Sequence, residues 1–394
     1  MQDGHEHRSK KAKQMLVVAN EASFRRNISK EELHTQHTST NAWIAEAGMP
    51  NLLNHPIPIE AEAPIPHSIN ITPPLSRPPF LFYGSFIDVP QATWKKLSQF
   101  LNNIEPEFVN TRFFSAIIRK EGYIHNLPEG NRAGVFQESP MTIEEALPHT
   151  RRWWPPWDSR KQFSFTSSDS LSAEILCRDL GEMLRTSRGM PSKEQQNRIL
   201  RDCSMMNLVW IGENKLGPVA PNEMECILGY PNQHTEVFGM ELDDRMRVLK
   251  DCFQINTLAY HLSTLRNVFP EGVRLLSVYS GIGGAEIALH RLGIHLKCVV
   301  SVETDERNHE ILKRWWQCTE QTGELLKIEG VKNVTTSKLS GIINNLGGID
   351  VIVGRTLPAS KNVSRVRRSD SIDMSAFFEF ARVFQQVKCI TKGV

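Results

Sequence analysis

Apolar residues show no sustained period up to about residue 75, and from Phe80 onward they fall into strand-like and helix-like runs. FLFYGSFIDV, residues 80–89, is an apolar run that predicts a strand leading into a loop. PQATWKKLSQFLNNI follows with Trp94, Leu97, Phe100 and Leu101 on one side and Pro90 near its start, which predicts an amphipathic helix. NRILRDCSMMNLVWIG predicts a helix running into a strand, and LAYHLSTLRNVF another helix. From Val273 strands and helices alternate with short links. VRLLSVYS is a buried strand, GIGG a tight turn, and AEIALHRLG a helix closed by Gly293. KCVVSVE is a second strand ending on Glu303, and GIDVIVG a further strand after a helical stretch carrying Trp315 and Trp316. This alternation predicts an α/β fold with a doubly wound parallel sheet.

Composition narrows the class. Hydrophobic residues make up 40% of the 394 and charged residues 23%, the balance of a soluble globular chain. A formal net charge of +2 gives no whole-protein field toward nucleic acid or membrane, so basic surface has to come from local clustering. The apolar runs fall far short of the roughly 20 residues that span a bilayer, and MQDGHEHRSKKAKQ lacks the apolar core of a secretory signal. Residues 1–75 are basic and polar, then proline-rich, and read as a disordered tail and linker. RSKKAK within them is either a nuclear-import signal or a solvated basic tail. The 7 cysteines are widely scattered with no C-x-x-C pair, which suits reduced thiols and gives no zinc framework. His34 and His37 have no cysteine partners, so no metal site is predicted.

The turn SGIGG is the first candidate for chemistry. Gly281, Gly283 and Gly284 let the backbone turn sharply and approach a ligand, and the helix behind them offers unpaired N–H groups. Ser280 and Ile282 complete the turn. Glu303 ends the next strand about 20 residues on, where an acid suits a ribose diol. The spacing is not G-x-G-x-x-G, and no P-loop lysine follows. An adenosyl cofactor such as S-adenosylmethionine is therefore favoured over a dinucleotide or a nucleoside triphosphate. The competing reading is a purely structural turn.

The order of several segments carries a resemblance. IEPEFV, GYIHNLP, RRWWPPWD, NLVWIG, ECILGYPNQHT, FQINTLAYHLS, SVYSGIGGAEIALHRLGI and VVSVE follow one another between Pro79 and Lys388. In this the chain resembles the plant domains-rearranged DNA cytosine-5 methyltransferases. The resemblance implies a Rossmann-like methyltransferase sheet, circularly permuted so that a smaller target-recognition-like subdomain precedes the cofactor turn. Residues 76–270 would form the N-terminal part of that domain and residues 271–394 its cofactor-binding part. The family's N-terminal ubiquitin-associated domains are not evident in this sequence; either it is a short form or it lacks them.

Such an enzyme adds a cysteine thiolate to carbon-6 of a flipped cytosine while a glutamate steadies the adduct. The family's Gly-Gly-Ser-Pro-Cys loop matches the residues from Gly354, which puts the cysteine position on Pro358, or on Ala359 after a one-residue slip. Its Glu-Asn-Val motif matches FLFYGSF, with Gly84 at the glutamate and Ser85 at the asparagine. Lys250, Asp251 and Cys252 stand at a family Gly-Asn-Ser, and Gly330 at the aspartate expected to meet adenine. Loss of nucleophile and acid in separate segments points to a pseudoenzyme, able to bind S-adenosylmethionine weakly or not at all.

The resemblance then implies a nuclear regulatory partner of an active methyltransferase of the same family. It would act in RNA-directed DNA methylation and gene silencing, through heterodimerisation, backbone contacts to DNA and the silencing machinery, with no membrane role. The alternatives are an active cytosine methyltransferase with a relocated nucleophile, and an S-adenosylmethionine-dependent enzyme with another target. Arg355, Lys361, Arg365, Arg367 and Arg368 in the loop after Gly354 are candidate phosphate contacts, against a solvated loop. Trp153, Trp154 and Trp157 are read as packing rather than a base-stacking platform. Trp315, Trp316 and the stretch from Phe377 to Phe384 are either a subunit interface or core. His125 and His234 carry no catalytic signal.

Overall fold

The apolar run at residue 80 forms a strand, Phe80–Ile87 (β1), and its first four residues are buried. A strand apolar on both sides needs cover on both faces. Phe80 and Phe82 enter one core, and Leu81 and Tyr83 the other, with the period of 2 that pleating imposes. This is seen in a computed structural model that describes residues 77–87, 91–128, 130, 132, 139–164, 170–357 and 374–392.

After β1 come Gln91–Phe100 (α1), Glu107–Asn110 (β2), Ile117–Ile118 (β3) and Lys120–His125 (β4). A one-turn helix, Ile143–Ala146 (α2), and Phe163–Ser164 (β5) lead to Ser170–Thr186 (α3) and Lys193–Met206 (α4). The hairpin Leu208–Gly212 (β6) and Lys215–Pro218 (β7) is followed by Pro221–Leu228 (α5), Leu242–Lys250 (α6) and Ile255–Leu262 (α7). The alternating region supplies Val273–Val278 (β8), Gly284–Arg291 (α8), Leu296–Glu303 (β9), Glu306–Cys318 (α9), Glu324–Glu329 (β10), Thr336–Leu346 (α10), Val351–Arg355 (β11) and Met374–Lys392 (α11).

Seven strands form the central sheet in the order β10-β9-β8-β11-β1-β4-β2. The first five are parallel, while β4 runs antiparallel to β1 and β2 antiparallel to β4. Strands from both sides of residue 270 thus share one sheet, a mostly parallel α/β architecture of the Rossmann-like methyltransferase kind. From β8 the chain steps to β9 and β10 on one side and returns to β11 on the other. That reversal opens a crevice beyond the carboxyl ends of β8 and β11, where open α/β sheets bind ligands.

A small separate core gathers Leu180, Leu184, Ile199, Cys203, Trp210 and Leu216 from α3, α4 and the β6–β7 hairpin. Trp153, Trp154 and Trp157 pack against it half-buried. Trp154 Nε1 donates to Thr150 Oγ1 at 3.1 Å and Trp210 Nε1 to Asp158 Oδ2 at 2.7 Å, so the RRWWPPWD segment is a packed corner.

One expectation changes and one open alternative resolves toward core. Phe100, expected beside Trp94 and Leu97, is 49% exposed, because α1 ends there and its buried side continues through Leu101. Trp315, Trp316, Phe377, Phe380 and Phe384 are buried within the chain, which leaves them no free face for a subunit interface. Only Phe378, at 45% exposure, faces outward among the phenylalanines of α11. Among the described residues, no helix is long and apolar enough to cross a membrane.

Candidate functional site

The glycine turn sits at the carboxyl end of β8 and is held from three sides. Ser280 Oγ and Ser301 Oγ are 2.8 Å apart, which ties the turn to β9. Glu303, expected on a ribose diol, sits beside the turn with its carboxylate bonded to protein backbone. It accepts from the N–H groups of Gly281 at 2.8 Å, Thr304 at 2.8 Å and Asp305 at 3.0 Å. On the third side, buried His234 lies 2.8 Å through Nε2 from the Ile282 carbonyl oxygen. Burial pushes the His234 pKa down to about 4, so at neutral pH the ring is uncharged and its Nε2–H donates to that carbonyl. His234 thereby positions the turn. Beneath it, Glu286 on the first turn of α8 is fully buried, and neither carboxylate oxygen has a hydrogen-bond partner among the described residues. Burial raises its pKa to about 7.

In front of the turn lies a cavity of about 150 Å³. Ser280, Gly281, Ile282 and Gly284 form one wall, while Asp251, Cys252 and Arg355 face them. Gly283 caps α8 with φ +85° and, like Glu303, does not line the cavity. Arg355, expected among the cations of a DNA-facing loop, is turned inward. Its Nε lies 3.4 Å from the Tyr279 carbonyl oxygen, and its Nη1 donates to the Asp251 carbonyl. Two backbone carbonyls at the cavity wall therefore lie within reach of the guanidinium. Lys361, Arg365, Arg367 and Arg368 lie outside the described residues, as do Pro358 and Ala359.

The two segments that would carry nucleophile and acid do come together. Thr356, at the start of the loop, donates to the Gly84 carbonyl through both N–H (3.0 Å) and Oγ1 (3.2 Å). At Gly84 a Cβ would lie 2.4 Å from the Gly122 carbonyl oxygen and 2.6 Å from Tyr123 Cδ1. The position where a side chain would have to project is filled by the backbone of β4. Gly330 is equally committed: its φ +79° and ψ 155° belong to a region nearly confined to glycine, and a Cβ would meet Thr304 Cγ2 at 2.6 Å. Neither glycine is a simple truncation: at Gly84 the backbone and Tyr123 ring of β4 take the space, and at Gly330 the backbone conformation and the Thr304 methyl oppose a side chain.

Comparison with known proteins places this geometry. No protein-family model matches the chain. It is 47% identical over 321 residues (82% of this chain and 47% of the relative) to "Probable inactive DNA (cytosine-5)-methyltransferase DRM3" of Oryza sativa subsp. japonica. The protein of the same name from Arabidopsis thaliana is 45% identical over 326 residues, 82% of this chain and 46% of the relative. "DNA (cytosine-5)-methyltransferase DRM2" of Oryza sativa subsp. japonica is 43% identical over 324 residues, 80% of this chain and 53% of the relative. The chain belongs to the domains-rearranged DNA cytosine-5 methyltransferase family. It spans about half the length of the curated relatives it matches. The family uses S-adenosylmethionine, and the turn from Ser280 to Gly284 is in place for it. The residues around that turn fit it poorly: Arg355 reaches across the turn, and Gly330 presents no side chain where the family's aspartate is expected.

One cluster was invisible in the sequence. Glu107 on β2, His125 on β4 and His261 on α7 bring their side-chain donor atoms within 4.8 Å of one another. Arg132 Nη1 sits among them, 3.1 Å from both Glu107 oxygens and 3.3 Å from His261 Nδ1. Burial opposes ionisation of Glu107, but the His125 hydrogen bond and the charge beside it outweigh this and hold its pKa at about 2. Burial holds the His261 pKa near 3, so at neutral pH Arg132 supplies the positive charge. A guanidinium occupies the place an ion would take, and the group works as an ionic lock between sheet and helix.

Proposed function

We propose that this chain is a catalytically silent member of the family. Its role is that of a nuclear regulatory partner of an active relative in RNA-directed DNA methylation, and so in gene silencing. The observation that carries the reading is the loss of two groups in separate segments, whose described parts meet where Thr356 bonds to the Gly84 carbonyl. Pro358 stands at the cysteine position, and Gly84, at the acid position, has no room for a side chain. Without a thiolate, carbon-5 of cytosine is not activated. The names of the two DRM3 relatives, each called probable inactive, support the same reading. Function then rests on binding: heterodimerisation with an active member of the family, and contacts from the loop after Gly354 to DNA phosphates. The order of parts, with β1, β2 and β4 preceding the glycine turn, supports a circularly permuted domain.

The rival reading, an active enzyme with a relocated nucleophile, has one candidate on the cavity wall among the described residues, Cys252. Burial raises its pKa to about 11, which leaves on the order of one thiolate in 10⁴ at pH 7. The deciding experiment measures methyl transfer from labelled S-adenosylmethionine to cytosine-containing DNA by this chain, by an active relative, and by the mixture. No transfer alone and faster transfer in the mixture is the expected result. Transfer by the chain alone, abolished in Cys252→Ser, would overturn it.

A further inference from the structure

The crevice that the family uses for its methyl donor is open to the protein's own side chain. Arg355 is the last residue of β11, and Gly354 before it pairs in register with Val278, so Arg355 stands beside Tyr279 where the glycine turn begins. In the family's Gly-Gly-Ser-Pro-Cys loop this position is a glycine, which leaves the crevice free. Here the guanidinium lies across the turn. Its Nη2, Cζ and Nε are 3.3, 3.4 and 3.4 Å from the point where a Cβ on Gly281 would be, which is direct packing on the glycine. The same group reaches the far wall through Nη1 to the Asp251 carbonyl while Nε approaches the Tyr279 carbonyl. One side chain therefore spans the pocket from the turn to the end of α6. The remaining cavity of about 150 Å³ is below the roughly 300 Å³ at which small-molecule pockets begin.

Charge acts in the same direction as shape. S-adenosylmethionine carries a sulfonium cation, and a guanidinium lying across the crevice repels it, by an amount that solvent and the nearby Asp251 reduce. Both acceptors of Arg355 are backbone carbonyls, so the neutral bonds that hold it in place leave its charge in the pocket.

We propose that Arg355 closes the methyl-donor pocket from within, so that this chain binds no S-adenosylmethionine, and that the closure resides in this one side chain. The inference rests on reading the crevice as the family's donor site, and it is independent of the proposed nuclear role. The test is equilibrium binding of labelled S-adenosylmethionine and S-adenosylhomocysteine to the full chain and to Arg355→Gly and Arg355→Ala, with thermal unfolding as the check on folding. Wild type is expected to show no saturable binding, and the folded variants to bind at least about tenfold more tightly, a gain of about 1.4 kcal/mol. Charge repulsion predicts that the gain is larger for the sulfonium donor than for the neutral thioether product. Saturable donor binding by wild type equal to that of the variants would overturn the proposal. So would folded Arg355→Gly and Arg355→Ala proteins that both fail to bind. Neither result touches catalytic silence, which is read from methyl transfer and not from donor binding.

Discussion

The loss of the acid at residue 84 is built into the packing of two strands, and Gly84→Ala tests this directly. The added Cβ would stand 2.4 Å from the Gly122 carbonyl oxygen, 2.6 Å from Tyr123 Cδ1 and 2.9 Å from Tyr123 Cα. Carbon contacts settle near 3.5–4.0 Å, so β1 and β4 must part by about 1 Å at this point. Neither neighbour yields cheaply. Tyr123 is buried, donates to the Glu121 carboxylate and packs on Phe82 at 5.1 Å between ring centroids. Gly122 is itself pressed against Trp94, whose indole atoms lie 2.5–2.8 Å from where its own Cβ would be. The Gly84 carbonyl also anchors Thr356 by two bonds that a shift of β1 would lengthen. Overpacking of this kind costs about 1–3 kcal/mol, and weakening of the adjoining bonds adds about 1 kcal/mol. The expected loss is about 2–4 kcal/mol, read as a lower denaturant midpoint at unchanged slope. Gly84→Glu adds a desolvated carboxylate to the same overlap and costs more, so Gly84→Glu combined with Pro358→Cys is expected to fold poorly and transfer no methyl group. Gly84→Ala within about 0.5 kcal/mol of wild type, the scatter of neutral substitutions, would show that the strands part freely and refute the argument.

Three further outcomes follow from the same geometry. Gly330→Asp forces a side chain into φ +79° against Thr304 Cγ2 and is expected to cost about 1–3 kcal/mol without recovering donor binding, as measured by unfolding and equilibrium dialysis. Burial raises the Glu286 pKa to about 7, so the folded state holds a proton that the unfolded state releases near pH 4.5, and stability falls as pH rises through that window. Glu286→Gln removes the effect, and its advantage over wild type should grow by about 2 kcal/mol between pH 5 and pH 8; a difference independent of pH would be the contrary result. His234 and His261 have folded pKa values depressed to about 4 and about 3, so their stabilising contribution is complete above pH 6.5 and is lost as pH falls toward those values. Each contributes about 2 kcal/mol between pH 7 and pH 5, together outweighing Glu286, and His234→Asn should flatten the acid side of the stability curve.

Much of the fold was legible because its signals are local. The apolar runs at Phe80, Val273, Cys298 and Ile349 are strands because both their faces are covered, and a short continuous run is what a doubly covered strand requires. The glycine turn after Val278 and the acid at Glu303 were readable for the same reason: a tight turn and a strand end restrict residue type wherever they occur. The empty catalytic positions were readable by likeness alone, since Pro358 and Gly84 say nothing until they are set against a family that places a cysteine and a glutamate there. What the sequence could not carry is direction. It assigned Arg355 to a cationic loop and Phe100 to a core, and gave no sign that Glu303 would bond the backbone of the turn. The side-chain path of Arg355 depends on Asp251, 104 residues away in the chain, and the commitment of Glu303 depends on the Gly281 N–H, 22 residues away. Likewise Glu107, His125, Arg132 and His261 lie on separate segments that meet only when β2, β4 and α7 pack. Local periodicity determines which elements form. Where a long polar side chain ends is decided by acceptors that only tertiary packing brings within reach, because a buried donor must find one or lose more than the bond is worth.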